Sequence, residues 1–253
     1  MDEKIFITGA SSGIGESLAY YYAQKHAIIG IAARRIERLQ SVARKCNDLG
    51  GNSVVYHLDV SDQDNCKKAA EDFLSVTGGI DIVIANAGIG GEDNISSGDP
   101  SAINDILKIN ILGVTNTVIP FIPIMEKQGS GKIGIISSIA SFRGLPDHGG
   151  YSSSKAALRF LADSWEHKLV RHKITITTIL PGWIASEMTA KHEFKMAFLM
   201  DSDKAAIKIA NAIQRGKRKL ILPWQWNFIV PIFRLLPRQL IRALTPYKES
   251  TKK

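Results

Sequence analysis

The feature that most constrains this chain is a regular alternation of short, β-rich apolar runs with longer stretches of helical periodicity. Lys4–Thr8, Ile28–Ala32, Ser53–Leu58, Ile82–Ala85, Lys132–Ser137, Thr175–Leu180 and Leu220–Leu222 read as strands. Segments near 13–25, 35–49, 62–76, 101–125, 152–171 and 203–214 read as helices. Several strands, such as Ile82-Val-Ile-Ala85 and Ile133-Gly-Ile-Ile136, are almost continuously apolar, as strands covered on both faces must be. Successive strand–helix–strand units close by right-handed crossovers. The expectation is an α/β fold: a doubly wound, mostly parallel seven-stranded sheet with helices on both faces.

No linker or repeat divides the 253 residues, so one domain is expected, with residues 223–253 as its apolar and basic C-terminal extension. The uncharged stretch Ile109–Met125 is shorter than a typical membrane span and holds Asn110, Gly113, Asn116, Pro120 and Pro123; it reads as a buried helix. The start of the chain has no basic segment followed by an apolar one, so no signal peptide is expected. Two cysteines, Cys46 and Cys66, have no metal-ligand spacing and suggest reduced thiols in a cytoplasmic setting; no metal is expected.

Directly after the first strand comes Thr8-Gly-Ala-Ser-Ser-Gly-Ile-Gly15, followed by a helix. Glycines at 9, 13 and 15 permit a tight turn and a close backbone approach, and the helix start supplies free N–H groups and the positive end of its dipole. These are the requirements of a pyrophosphate site in a Rossmann-type fold, so residues 1–222 are expected to form a dinucleotide-binding and catalytic unit. Gly9, Ser11, Ser12, Gly13, Ile14 and Gly15 are the candidate contacts. At the end of the second strand, where a carboxylate would hold a ribose 2′-hydroxyl, stand Ala33, Arg34 and Arg35. A guanidinium there suits a 2′-phosphate, so NADP(H) is expected over NAD(H), with Arg34 as the leading contact and Arg35 assisting.

Tyr151-Ser-Ser-Ser-Lys155 places a phenol and an ammonium one helical turn apart on one face. A free phenol, with pKa about 10, is a poor base at neutral pH, and one positive charge about 4 Å away offsets roughly the 4 kcal/mol needed to bring it near 7. The expectation is that Lys155 acidifies Tyr151.

With these elements the chain resembles the short-chain dehydrogenase/reductase family in its single-domain branch. The likeness runs from Thr8 to about Leu222. It rests on the glycine turn, Leu58-Asp-Val60, Ala85-Asn-Ala-Gly88, Asn110, Ile136-Ser-Ser138, Tyr151 with Lys155, and Pro181-Gly182. The resemblance implies hydride transfer between a nicotinamide and an alcohol/carbonyl pair. It implies that Tyr151 is the general acid or base, that Lys155 tunes it and binds the nicotinamide ribose, and that Ser138 bonds the substrate oxygen. Asn110 would hold a water of a proton relay. Asp59 and Val60 would line the adenine pocket, Asn86 and Gly88 would lie against the cofactor, and Pro181, Gly182, Ile184 and Ser186 would border the nicotinamide. Two positions depart from the family's habit: Ser186 stands where Thr is frequent, and Ala85 where a second Asn is frequent.

Substrate choice is expected from three loops, about 90–98, 139–149 and 183–200. The first reads as flexible and polar; the third is rich in Met and Phe and reads either as packing or as an apolar lid. A hydrophobic ketone or aldehyde is the expected substrate class. His148 stands three residues before Tyr151, within potential reach of a substrate. A homodimer or homotetramer through the helices at 101–125 and 152–171 is implied by the resemblance.

The formal charge of +8 is uneven: residues 201–253 hold 12 Lys/Arg against 3 Asp/Glu, and the other 200 hold 20 against 21. Within that tail Leu220–Phe233 carries no charge, and Arg234, Arg238 and Arg242 then recur every four residues among Leu and Ile. The run is already too short to span a membrane, and Pro223 and Pro231 are expected to break it, so a spanning helix is not expected. Packing against the cleft or a partner subunit is expected ahead of peripheral docking on a membrane through Trp224, Trp226 and Phe228. A nucleic-acid partner is not expected, for the basic residues show no aromatic interleaving. A protein of the same fold that merely senses NADP(H) is the alternative to an enzyme; the presence of both Tyr151 and Lys155 argues against it.

Overall fold

The computed structural model describes residues 2–187, 189–190, 196–237 and 239. Seven strands form one parallel sheet: β1 Lys4–Thr8, β2 Ile28–Ala33, β3 Asn52–His57, β4 Ile82–Ala85, β5 Gly131–Ile136, β6 Ile174–Pro181 and β7 Lys219–Leu222. Their spatial order is β3-β2-β1-β4-β5-β6-β7. The chain winds outward to β3, returns to β4 beside β1, and winds outward the other way. The crevice at the carboxyl ends of β1 and β4 is therefore the topological switch point, where ligands of such sheets bind.

Each crossover carries a helix. On one face α1 (Gly13–Ala23), α2 (Ile36–Asp48) and α8 (Ser202–Gln214) cover Ile5, Ile7, Ile29, Ile31, Ile82 and Ile84. On the other, α3 (Gln63–Thr77), a long helical segment at 101–128 and α7 (Gly149–Leu169) cover Phe6, Val83, Ile133, Ile135 and Ile176. Burial on both faces explains why the central strands lack polar alternation. Phe6 meets Phe73 at 5.5 Å and Phe121 at 5.0 Å between ring centroids. Gly30 on the adjacent strand leaves the space those rings use; a Cβ there would stand 2.5 Å from Phe6 Cδ2. Cys46 and Cys66 are buried and unpaired, and burial pushes each thiol up to about 12.

The expected helix at 101–125 is a composite: α4 (Ser101–Leu107), a π turn at Lys108–Leu112, α5 (Gly113–Val118), a 3-10 turn at Ile119–Phe121 with Pro120, and α6 (Ile122–Gln128). By length and hydropathy alone this segment is apolar enough to cross a membrane. Its Val114, Val118, Phe121 and Met125 are instead packed into the core, as expected of a buried helix.

One expectation needs correction. Pro231 does not break the C-terminal run: α9 spans Trp226–Leu235 with Pro231 inside it. The ring sits on the exposed side, and proline removes one backbone donor rather than the apolar packing of Trp226 and Val230 beneath.

Candidate active site

The glycine turn joins β1 to α1, and its backbone demands glycine. Gly9 and Gly13 have φ of +67° and +59°, a region L side chains enter only with strain. A Cβ on Gly9 would lie 2.7 Å from Ala87 Cα, and one on Gly15 would collide with the Gly9 carbonyl. Ser12 is the N-cap of α1, yet its side chain makes no capping bond, so the first turn's N–H groups keep no side-chain acceptor from it. Ile14 packs on the core and orients the turn. A backbone cradle with no room for side chains and with exposed helix dipole is what a dinucleotide pyrophosphate needs, so the residues fit that group.

Asn86 fastens this turn to the strand beyond the switch point. Its Nδ2 donates to Thr8 O at 3.0 Å and to Gly9 O at 3.1 Å. The side chain expected against the cofactor is thus a clamp between the β1 and β4 turns. Gly88 follows with no spare room: a Cβ would lie 3.0 Å from Asn110 Oδ1 and 3.2 Å from Lys155 Nζ. At the carboxyl end of β3, Asp59 Oδ1 accepts from Ser61 N at 2.9 Å. Burial raises the Asp59 pKa, but the Ser61 bonds and the Arg34 and Lys108 charges outweigh it and leave the carboxyl below its ordinary range. Val60 is buried against Gly113 on α5.

The two arginines have different partners. Arg34 pairs with Asp59 at 3.7 Å. Arg35 is the one that reaches the glycine turn: its Nη2 donates to Ser11 Oγ at 3.1 Å and Ser12 Oγ at 2.6 Å. It also bonds Glu187, which Arg38 meets at 2.9 Å. The Arg35 hydrogen bond leads in holding the Glu187 carboxyl below its usual range. Glu187 was not anticipated, because 152 residues separate it from Arg35.

The four candidate catalytic residues converge at the carboxyl end of β5. Ser138 caps the turn after the strand, accepting from Ala140 N at 3.1 Å and donating to Pro181 O at 3.4 Å. Its hydroxyl faces Tyr151 and favours the phenolate. Tyr151 and Lys155 lie one turn apart on α7, with Nζ 5.8 Å from the phenol centroid. Lys155 is 4% exposed and its Nζ donates to Ile136 O at 2.9 Å. Asn110, fully buried in the π turn, accepts from Ile89 N at 2.8 Å and donates to Ile89 O and Ser154 Oγ. Single π turns recur at functional sites.

The electrostatics depart from the simple expectation. Burial raises the Tyr151 pKa above the usual phenol range, and the Ser138 hydrogen bond is what opposes it. Burial also lowers Lys155, to about 8. The ammonium is directed at Ile136 O, so desolvation outweighs its pull on the phenol in the protein alone. The positive charge of an oxidised nicotinamide would add to that of Lys155.

Beyond β6, Pro181 ends the strand and Gly182 N donates to Leu222 O at 2.6 Å. Ile184 is buried and forms a bridge with Met200. Ser186 N donates to Thr189 Oγ1 at 2.9 Å, and the Ser186 side chain lies against Gly13. The loop thus crosses over the glycine turn. Met188 and residues 191–195, part of the expected lid, lie outside the described residues, as do Arg238 and Arg242.

Two loop expectations change. His148 Nδ1 lies 2.8 Å from Gly91 O, so the ring ties one loop to another. The loop expected to be flexible contains buried Asp93, whose carboxylate accepts from Gly149 N and, at 2.8 Å, from Gly150 N. Asp93 thereby caps the helix that carries Tyr151. Nothing local in the sequence revealed this, since the partners are 56 and 57 residues away.

Two tests follow from this geometry. Lys155 releases its proton near pH 8 when folded, against about 10.4 unfolded, so between those values the unfolded chain binds more protons and stability rises with pH. From about pH 7 to about pH 9, urea unfolding of the parent should gain about 1 kcal/mol relative to Lys155→Met, whose other titrating groups cancel in the comparison; parallel profiles would refute the assignment. Asp93→Ala should cost about 1–3 kcal/mol and lower kcat more than it raises the cofactor KM, read by urea melts and steady-state kinetics.

The sequence profile described as short chain dehydrogenase matches residues 3–197. An uncharacterized oxidoreductase of Myxococcus xanthus is 33% identical over 237 residues, 94% of each chain. An 11-beta-hydroxysteroid dehydrogenase-like 3 protein of Arabidopsis thaliana is 36% identical, covering 89% of this chain and 75% of its own length. An alcohol dehydrogenase from the archaeon Thermococcus sibiricus, solved with 5-hydroxy-NADP, superposes with a TM-score of 0.78 at 25% identity, covering 88% of this chain and 96% of that one. Profile, relatives and parallel sheet agree: the chain belongs to the short-chain dehydrogenase/reductase family and is an oxidoreductase acting on CH–OH or carbonyl groups.

Proposed function

We propose that this oxidoreductase prefers NADP(H) and interconverts a hydrophobic ketone or aldehyde with its alcohol, using Tyr151 to move the proton. The observation that carries the reading is the convergence of Ser138, Tyr151, Lys155 and Asn110 beside Gly88, at the switch-point crevice that also holds the glycine turn. The bound nicotinamide supplies or accepts the hydride. In reduction, the carbonyl oxygen accepts hydrogen bonds from Ser138 Oγ and Tyr151 O–H, and the phenol proton passes to it as negative charge develops. In oxidation, the same phenol oxygen takes the alcohol proton. Lys155 stabilises the phenolate between these states, and Asn110 fixes the Ile89 backbone against the site.

Cofactor preference is assigned to Arg35, with Arg34 beside it. No carboxylate stands at the end of β2 to repel a 2′-phosphate, and the Arg35 guanidinium is held over the turn by Ser11 and Ser12. Glu187 holds Arg35, together with Arg38, as an internal anion, so a 2′-phosphate competes with it. The NADP-type ligand of the archaeal alcohol dehydrogenase and the steroid-dehydrogenase name of the plant relative favour the same cofactor and an apolar substrate. Exposed Leu112 and Phe160 support a homodimer or homotetramer built on the 101–128 helix and α7. The sparse unpaired cysteines support a cytoplasmic setting.

A panel of apolar ketones and aldehydes with NADPH and NADH, run on the parent and Tyr151→Phe, tests the reaction. The variant should lose about 10²–10⁴-fold in kcat while binding cofactor as before; equal turnover would remove Tyr151 from the mechanism. Arg35→Ala should weaken NADPH by roughly tenfold or more and NADH little, whereas Glu187→Gln should tighten NADPH, both read by fluorescence titration. An NADH preference in the parent would overturn the cofactor assignment.

A further inference from the structure

The helix α9 is apolar on two sides, and only one of them is accounted for. Trp226, Val230 and Phe233 turn inward: Trp226 lies against Gly182, and a Cβ on that glycine would collide with the indole. The 139–145 loop holds the end of the helix, with Arg143 Nη1 donating to Phe233 O at 2.7 Å and Leu236 O at 2.8 Å. Trp224, in the turn before the helix, and Phe228, Ile232 and Leu235 on its other side are exposed by 66%, 66%, 62% and 85%. Their spacing of four, four and three residues makes one continuous stripe along the helix. Trp224 and Phe228 meet edge to face at 6.0 Å, and exposed Phe198 extends the apolar surface through its contact with Trp226.

We propose that this stripe docks on the surface of an anionic lipid bilayer, with α9 lying in the headgroup plane at the mouth of the substrate cleft. Charge decides the occupant. No charged residue interrupts Leu220–Phe233, and from Arg234 onward the sequence holds six Lys/Arg and one Glu. Arg234 is exposed and Arg159 stands beside it, each with its guanidinium over the Phe142 ring, at 5.7 Å and 4.1 Å. Among the described residues Arg143, Arg159 and Arg234 have no carboxylate within salt-bridge distance. A second copy would bring another basic segment of like charge to the interface and no opposite charge for it. Acidic headgroups supply the opposite charge, and tryptophan with an aromatic neighbour suits the interfacial depth.

Sedimentation of the full chain with vesicles tests this. The parent should pellet with phosphatidylcholine vesicles containing phosphatidylglycerol, less with phosphatidylcholine alone, and less again at high salt. The triple variant Trp224→Ser, Phe228→Ser, Ile232→Ser should partition about tenfold or more weakly, with unchanged turnover of a water-soluble carbonyl substrate showing that it is folded. A parent that stays in the supernatant with both vesicle types overturns the proposal. So does a variant that pellets as the parent does. A variant whose altered property is its mass by light scattering, with vesicle binding intact, would assign the stripe to a second copy instead. Because sedimentation needs no substrate, these results stand apart from the reading of the reaction.

Discussion

A buried ammonium is the constraint around which the site is arranged. Lys155 is removed from water at the carboxyl ends of the strands, and a cation in such a place is tolerated only with close polar partners. Ile136 O accepts from it, and Gly88 and Asn110 close over it. The cost of desolvation appears in its pKa, lowered to about 8. Stability therefore has to come from elsewhere, and the two apolar layers that sandwich the sheet provide it.

The site is assembled from segments far apart in sequence, each fixed by a bond that crosses an element boundary. Asn86 closes the β1 turn from the β4 turn, Asn110 secures Ile89 from a π turn, and Asp93 caps α7 from a loop. None of these residues needs to touch a reacting atom. They limit how far Ser138, Tyr151 and Lys155 can drift, and misplacement by about 1 Å is enough to slow an enzymatic step severely.

The fold was legible because burial on both sides of a parallel sheet writes long apolar runs. All seven strands lie where the sequence places them, shifted at most by a residue at each end. The glycine turn and the Tyr151/Lys155 pair were legible because their spacing is itself the chemistry. What was hidden depends on tertiary proximity. Asp93 looks like one more polar loop residue until α7 begins beside it. Arg35 and Arg34 are indistinguishable by type, and only the direction of the backbone sends one to the glycine turn and the other to Asp59. Helix α9 was obscured by Pro231, whose local penalty is outweighed by packing of Trp226 and Val230. The balance between burial and neighbouring charge at Tyr151 could not be judged from spacing, because it depends on where Nζ is aimed.

The bond from Arg143 to the last carbonyls of α9 has a mechanical meaning. One guanidinium spans 90 and 93 residues of sequence to join the loop after Ser138 to α9. Any displacement of α9 would have to carry the loop that follows Ser138 with it, unless both carbonyl bonds broke.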